Sequence, residues 1–367
     1  MSQLFSPLQL GGLTLSNRIT VSPMCQYSAQ DGLFSTWHLQ HLSSLAMSGA
    51  ALVMIEATNV SADGRICEGC TGLWSDEHGL SLADVLAGAR KVAGNVNFGI
   101  QIGHAGRKGP TQIPWQGGKP LAPDQAWEAM APSPIPLAEG WATPKEMTLA
   151  DIAQFKLDCI AATRRALAAG VQVIELHAAH GYLLHQFMSP LTNRRNDQYG
   201  GSRENRMRLP LEVIAELRTI VPSTHALGAR ITATDWMPDG IQEADCAVFA
   251  RELEALGTDY VCVTSGGLIL TAPIKIAPGY QVAFASAVKK VVSKMAVRCV
   301  GLIAEPLQAE QVISSGQADR VARARAVLDD PRWGWHAAEK LGVKVDLPPQ
   351  YARAHHSLWP GAKLVRP

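Results

Sequence analysis

The run Leu52-Val53-Met54-Ile55 decides the fold. It lies in the longest uninterrupted apolar stretch of the chain, residues 50–55. Consecutive apolar residues without polar alternation suit a strand covered on both faces, as in a parallel sheet wrapped by helices. Working outward, the strand takes in 52–60. Seven more stretches read as strands: 18–23, 97–104, 173–180, 226–234, 260–266, 296–303 and 320–325. Between them lie longer stretches with helical spacing: 37–48, 149–169, 204–220, 243–255, 282–292, 306–315 and 331–341. In 149–169 the spacing is carried by Ile152, Phe155, Ile160 and Leu167, with Gly170 as the stop. Thr148 is placed to cap it, with Asp151 three residues on. Eight strands alternating with helices predict an α/β protein, a closed (β/α)8 TIM barrel rather than an open doubly wound sheet. No GxGxxG follows the first strand, against a Rossmann unit. The last strand, Arg320-Val321-Ala322-Arg323-Ala324-Arg325, fits periodicity poorly and rests on the count.

The barrel is read as a single domain over 1–345. An excursion at about 108–147, rich in Pro, Gly and Trp, follows the third strand and belongs to the C-terminal face, where barrel active sites lie. Residues 346–367 hold four prolines, Arg353, His355 and His356, and read as an extended C-terminal arm.

Composition excludes several classes. With 33 basic and 32 acidic residues the net charge is +1, so no basic excess points to nucleic acid or an anionic membrane. The 50–55 run is far below the roughly 18 residues of a membrane span. No Lys or Arg precedes Arg18, so the start lacks the basic n-region of a secretory signal. Seven cysteines, an odd number spread widely, make no disulfide framework and point to a reducing cytoplasm. Cys67-Glu68-Gly69-Cys70 has zinc or redox spacing, but no second CxxC exists, and no metal site is expected.

Chemistry collects at the C-terminal strand ends. They carry Ser22-Pro23-Met24-Cys25-Gln26-Tyr27, Glu56-Ala57-Thr58, Gln101 to Lys108, Glu175 to Tyr182, Arg230, Ser265-Gly266-Gly267 and Gly301-Leu302-Ile303. Imidazoles, a phenol, an amide, a thiol and a guanidinium are present, with few carboxylates. Metal hydrolases and glycosidases need more carboxylates than this. The set suits a polar planar ligand and proton donation to oxygen. On a strand, His177 and His180 fall on opposite faces unless the strand ends between them, which Gly181 allows. Arg107 and Lys108 read equally as ligand contacts or as solvated loop charges. Trp37, His38 and His41 read as helix packing, and 200–204 as a turn and helix start.

Four of these motifs, in this order, resemble the Old Yellow Enzyme family, its bacterial thermophilic-like and xenobiotic-reductase class: Ser22 to Tyr27, Gln101…His104-Ala105-Gly106-Arg107-Lys108, His177-Ala178-Ala179-His180-Gly181-Tyr182 and Tyr199-Gly200-Gly201-Ser202…Glu204-Asn205-Arg206. The resemblance implies a barrel holding FMN, with Ser22, Pro23, Met24 and Cys25 along the ring system and Ala57 and Gln101 at its pyrimidine edge. It puts Arg230 near N1 and the C2 carbonyl, and Gly301, Ala324 and Arg325 at the phosphate. It implies that His177 and His180 donate to a substrate carbonyl, with His177 also against the FMN, that Tyr182 protonates the α-carbon and that Tyr27 holds the substrate. Hydride from NADPH or NADH would pass through flavin N5, by ping-pong kinetics, to the activated C=C of an α,β-unsaturated carbonyl or nitro compound. Ala324 stands where the family has Gly, and weaker FMN retention is expected from its methyl and its lost access to positive φ. Gln350-Tyr351-Ala352-Arg353 resembles the segment whose Arg enters a neighbouring subunit's site, which implies a homodimer or homotetramer with the arm at the interface. The competing readings are a dienoyl-CoA reductase, a metal-dependent barrel hydrolase using His104, His177 and His180, and a non-catalytic flavin sensor.

Overall fold

The computed structural model describes residues 2–93 and 96–365. Met1, Gly94 and Asn95 of the expected barrel and Arg366 and Pro367 of the expected arm lie outside the described residues. Eight strands form the barrel: β1 (Ile19–Val21), β2 (Leu52–Asn59), β3 (Asn97–Gly103), β4 (Val173–Ala178), β5 (Ala226–Thr232), β6 (Tyr260–Thr264), β7 (Ala296–Cys299) and β8 (Arg320–Arg323). Each pairs in parallel with its sequence neighbours, and β8 closes on β1. The predicted TIM barrel is the observed fold. Between and after the strands run α1 (Thr36–Ala46), α2 (Asp76–Ala93), α3 (Leu149–Ala168), α4 (Leu183–Met188), α5 (Arg203–Ile220), α6 (Glu243–Ala255), α7 (Val282–Lys289), α8 (Pro306–Ser314), α9 (Arg325–Asp329) and α10 (Trp333–Lys340).

Local chemistry starts these helices where the sequence placed them. Thr148 and Asp151 form a capping box: the Thr148 hydroxyl accepts from Asp151 N, and the Asp151 carboxylate accepts from Thr148 N. Such a cap contributes about 1 kcal/mol. Ser202 caps α5 by accepting from Asn205 N. Behind the caps, α3 turns Ile152, Phe155, Cys159, Ala162 and Ala166 into the core.

Helix α2 is absent from the expectation above, although its signal is present. Leu82, Val85, Leu86 and Ala89 recur at helical spacing and are buried, with Asp76 and Glu77 in the first turn and Arg90 and Lys91 in the last. The last strand departs in the opposite sense: β8 is buried throughout in spite of its arginines. Arg320 enters the barrel interior and donates to Thr20 Oγ1. Beside it, Arg298 pairs with Glu175, which also accepts from Tyr260 Oη at 2.9 Å and Gln101 Nε2 at 2.8 Å. Both guanidiniums lie against the Tyr260 ring, 5.0 and 5.8 Å from its centre. A polar layer inside the barrel thus makes room for charge that a periodicity rule scores against.

The two ends of the barrel differ. A hairpin of Leu8–Leu10 and Leu13–Leu15 closes the N-terminal end, where Leu10 and Leu15 pack on Leu52, Met54, Val173, Ala226 and Tyr260. The chemistry therefore gathers at the C-terminal end. The described part of the tail is not extended. Its residues form a short 3-10 helix, Pro349–Ala354, that folds back on α10, with the Tyr351 ring 5.9 Å from Trp335 and the Arg332 guanidinium against both. Aromatic and cation–π contact overcomes the extended preference of its prolines. Among the described residues no helix is long and apolar enough to cross a membrane.

Candidate active site

Strand β4 ends at Ala178, and the chain then turns through two left-handed residues, His180 at φ 58° and Gly181 at φ 74°. This turn resolves the facing problem of the two histidines. It swings His180 back beside His177, ring centres 5.2 Å apart and edge to face. Tyr182 follows, its ring 4.9 Å from His177. A left-handed non-glycine residue costs about 1–2 kcal/mol, so the turn must be held.

The surrounding residues hold it from both sides. Gly181 N donates to His185 Nδ1 at 2.7 Å, and Gln186 Nε2 donates to Gly181 O at 2.7 Å. Lys108 Nζ donates to His180 O at 2.8 Å and to Gly267 O at 3.1 Å, tying the turn to the loop after β6. The two loops touch so closely that a methyl on Gly181 would stand 2.3 Å from Gly267 O. His185 is fixed in turn by Asp235, whose Oδ1 lies 2.7 Å from His185 Nε2 and whose Oδ2 accepts from Ser189 Oγ and Ile241 N. The Lys108 ammonium also lies 4.8 Å from the centre of the Tyr182 ring. Lys108 is thus a buried clamp rather than a solvated loop charge, with two of its three N–H groups given to backbone carbonyls. Arg107 is likewise buried on the carbonyls of Ile135, Pro136 and Leu268. His185, Asp235 and the clamp role of Lys108 escaped the sequence reading; the spacing of His185 after His180 and Tyr182 is their only trace there.

The electrostatics suit proton donors. Burial, reinforced by Arg230 and Lys108, pushes the His177 and His180 imidazoles well below the usual histidine range, so both are neutral and each has one N–H to give. His177 Nδ1 has no protein partner. His180 Nε2 lies 3.0 Å from Thr264 Oγ1, which itself donates to Gln281 Oε1, so the imidazole N–H is spent on Thr264. A substrate oxygen has to replace Thr264 to receive it. Burial raises the Tyr182 and Tyr27 phenols and the Cys25 thiol, all of which stay protonated at neutral pH. Lys108 is pushed down to about 8 by burial and by Arg107.

A cavity of about 400 Å³ opens beside this cluster, within the range of cofactor sites. Ser22, His180, Arg230, Tyr280, Gly301, Ala324 and Arg325 line it. Ala57, His177 and Tyr182 line a separate small recess. Pro23, Met24 and Cys25 continue half-buried along the rim from Ser22, and Tyr27 places its ring 6.0 Å from Trp115 of the 108–147 excursion. Gln101 is buried on Glu175. Arg353 is exposed on the tail, and the structure brings it to none of these residues. At the far end of the cavity Gly301 has φ 110°. Ala324 has φ −110°, outside the left-handed region, so lost access to positive φ costs nothing there and that part of the retention argument falls away. Arg230 Nε is buried without a partner among the described residues. Orphaned donors around an open cleft call for an anionic, polar ligand.

The remaining motifs resolve locally. Cys67 and Cys70 are buried with their Sγ atoms 3.8 Å apart, too far for a disulfide bond. His104 packs edge-on to Phe155 with Nε2 3.9 Å from Asp63. Among the described residues no group of three or more His, Cys, Asp or Glu side chains is arranged to hold a metal ion. His38 is buried in α1 with Nε2 3.3 Å from Glu56.

Residues 3–343 match the model of the NADH:flavin oxidoreductase / NADH oxidase family. The chain belongs to that family. It is an Old Yellow Enzyme-type oxidoreductase that uses FMN and a nicotinamide hydride donor. It is 43% identical over 352 residues to an NADPH dehydrogenase of Geobacillus thermodenitrificans, covering 95% of this chain and 98% of that one. An NADPH dehydrogenase of Bacillus subtilis is 37% identical over 353 residues, covering 96% and 98%. Among solved structures, morphinone reductase superposes with a TM-score of 0.76 at 26% identity, covering 95% of this chain and 92% of that one. A 2-naphthoyl-CoA reductase superposes with a TM-score of 0.82 at 25% identity over 92% of this chain; the chain spans about half of that protein's length. FMN fits the residues present: a cation at Arg230 whose Nε has no partner among the described residues, Ser22 on the cavity wall, and a cavity ending between the loops after β7 and β8, where barrels bind phosphate.

Proposed function

We propose that the chain is an NADPH-dependent ene reductase acting on the activated C=C bond of α,β-unsaturated carbonyl or nitro compounds. The observation that carries this reading is the clustering of two neutral imidazoles and a protonated phenol, with ring centres 5.2 and 4.9 Å apart and His180 lining the cavity that suits FMN. FMN held in this cavity would supply the redox chemistry, carrying hydride from NADPH to the β-carbon of the alkene.

The chain's own residues do the rest. His177 and His180 donate to the carbonyl or nitro oxygen and draw negative charge onto it, a contribution of a few kcal/mol per donor. Their neutrality matters, because a charged imidazolium so close to Arg230 would be costly. Tyr182 holds its proton until negative charge develops at the α-carbon and then gives it up there. Tyr27 and Trp115 wall the substrate side, and burial of the cluster keeps water from competing. Arg230 would hold the pyrimidine side of FMN, with Gln101 and Ala57 at its edge, while Gly301, Ala324 and Arg325 would take the phosphate. Arg353, exposed on the tail, is assigned to the site of a neighbouring copy in a homodimer or homotetramer. Seven free cysteines support a cytoplasmic setting.

The test is spectroscopic. Purified yellow protein is reduced anaerobically with NADPH and then mixed with 2-cyclohexenone. Return of the oxidised flavin spectrum with one saturated ketone formed per NADPH supports the reading. Flavin that bleaches but never recovers with any activated alkene assigns a sensor instead.

A further inference from the structure

The phosphate end of the cavity holds a second arginine that the family motif does not supply. Arg323, the last residue of β8, lines the cavity beside Ala324 and Arg325. It is only 3% exposed, yet among the described residues two of its three guanidinium nitrogens, Nε and Nη1, have no hydrogen-bond partner. The third, Nη2, donates to Ala304 O. We propose that Arg323 is a second phosphate clamp, built to neutralise the dianionic phosphate of FMN together with Arg325. The inference rests on the FMN assignment and goes beyond it by naming what selects the phosphorylated flavin.

The guanidinium is placed in advance. Its carbon lies 3.3 Å from the centre of the Trp333 ring, so the plane stacks on α10 and cannot swing to solvent. Trp333 Nε1 donates to the same Ala304 carbonyl at 3.2 Å, which locks ring and arginine to the loop after β7. A buried cation needs a counter-charge. Asp330 and Glu305 attract it, yet burial outweighs them. Both Asp330 oxygens are already engaged, by Arg332 N at 3.0 Å and His336 Nδ1 at 2.7 Å. Burial pushes Arg323 down to about 9, the mark of a charge waiting for an anion. Arg325, by contrast, is exposed, and water weakens what it gives a phosphate. The buried arginine is therefore the stronger of the two, and it offsets the glycine that position 324 lacks.

The experiment strips the full-length protein of flavin and titrates it with FMN and with riboflavin, which lacks the phosphate, following flavin fluorescence. Arg323→Met keeps an apolar stem on Trp333 and removes the charge. Its FMN affinity is expected to fall tenfold or more, as for loss of a charge-assisted bond, with riboflavin affinity unchanged within about twofold. Arg323→Lys is expected to recover at least half of that loss on a logarithmic scale. Parallel weakening of both flavins, or no change in either, would overturn the proposal and leave Arg323 a strut for Trp333. Should Arg323→Met fail to fold, Arg325→Met decides: a surviving preference for FMN over riboflavin of tenfold or more supports Arg323, and its disappearance overturns it. Wild-type protein that binds neither flavin would instead overturn the cofactor assignment.

Discussion

Replacing Lys108 by Met should slow alkene reduction without touching flavin reduction. The ammonium lies 4.8 Å from the centre of the Tyr182 ring. A unit negative charge at that distance gains about 3.5 kcal/mol at an effective dielectric constant of 20. Taking the phenolate oxygen as about 3 Å farther away than the ring centre leaves about 2 kcal/mol, roughly thirtyfold in rate. Removing Lys108 also strips the donor from His180 O and Gly267 O and loosens the left-handed turn. Anaerobic stopped-flow spectroscopy separates the half-reactions. Reoxidation of the reduced enzyme by 2-cyclohexenone should fall at least thirtyfold, while reduction by NADPH stays within about threefold. The pH profile carries the same signature. Lys108 loses its proton as pH rises through about 8, so the wild-type reoxidation rate should fall across that value and the variant should be flat there. A loss of less than threefold, or an unchanged pH limb in the variant, would refute the assigned role.

Acid should destabilise the fold early. His104 is held down at about 4 by burial, and His41, His177 and His180 are shifted the same way, so between pH 6.5 and 4 the unfolded chain binds protons the folded one refuses. Stability is then present above pH 6.5 and lost as pH falls, by about 3 kcal/mol for His104 alone at pH 4, read as a falling Tm by calorimetry. Glu175→Gln leaves Arg298 and Arg320 in the barrel interior without their carboxylate and should cost about 3–5 kcal/mol, roughly 4–7 °C in Tm for a chain of this length. An unchanged Tm would mean that water already reaches the pair.

The barrel was legible in the sequence because most strands are covered on both faces and show it as apolar runs; Leu52 to Ile55 is the clearest. Strand β8 resisted because Arg320 is buried against Thr20 and Tyr260, a pairing between residues 300 and 60 positions apart along the chain. The same limit hid Lys108, whose partners His180 and Gly267 come from two other loops. The His177 and His180 pair was visible, but its convergence needs the left-handed turn, and Gly181 only hinted at it. The tail misled because its prolines speak for extension, whereas Tyr351 finds Trp335 and Arg332. Helix α2 was within reach: its spacing and end charges are regular.

Tyr182→Phe probes the central claim most directly. The phenol is the group assigned to give its proton to the α-carbon, and no part of NADPH oxidation needs it. The account predicts that anaerobic flavin reduction by NADPH persists in the variant while reoxidation by an enone drops about 100-fold or more. Enone turnover at the wild-type rate in the variant would contradict it.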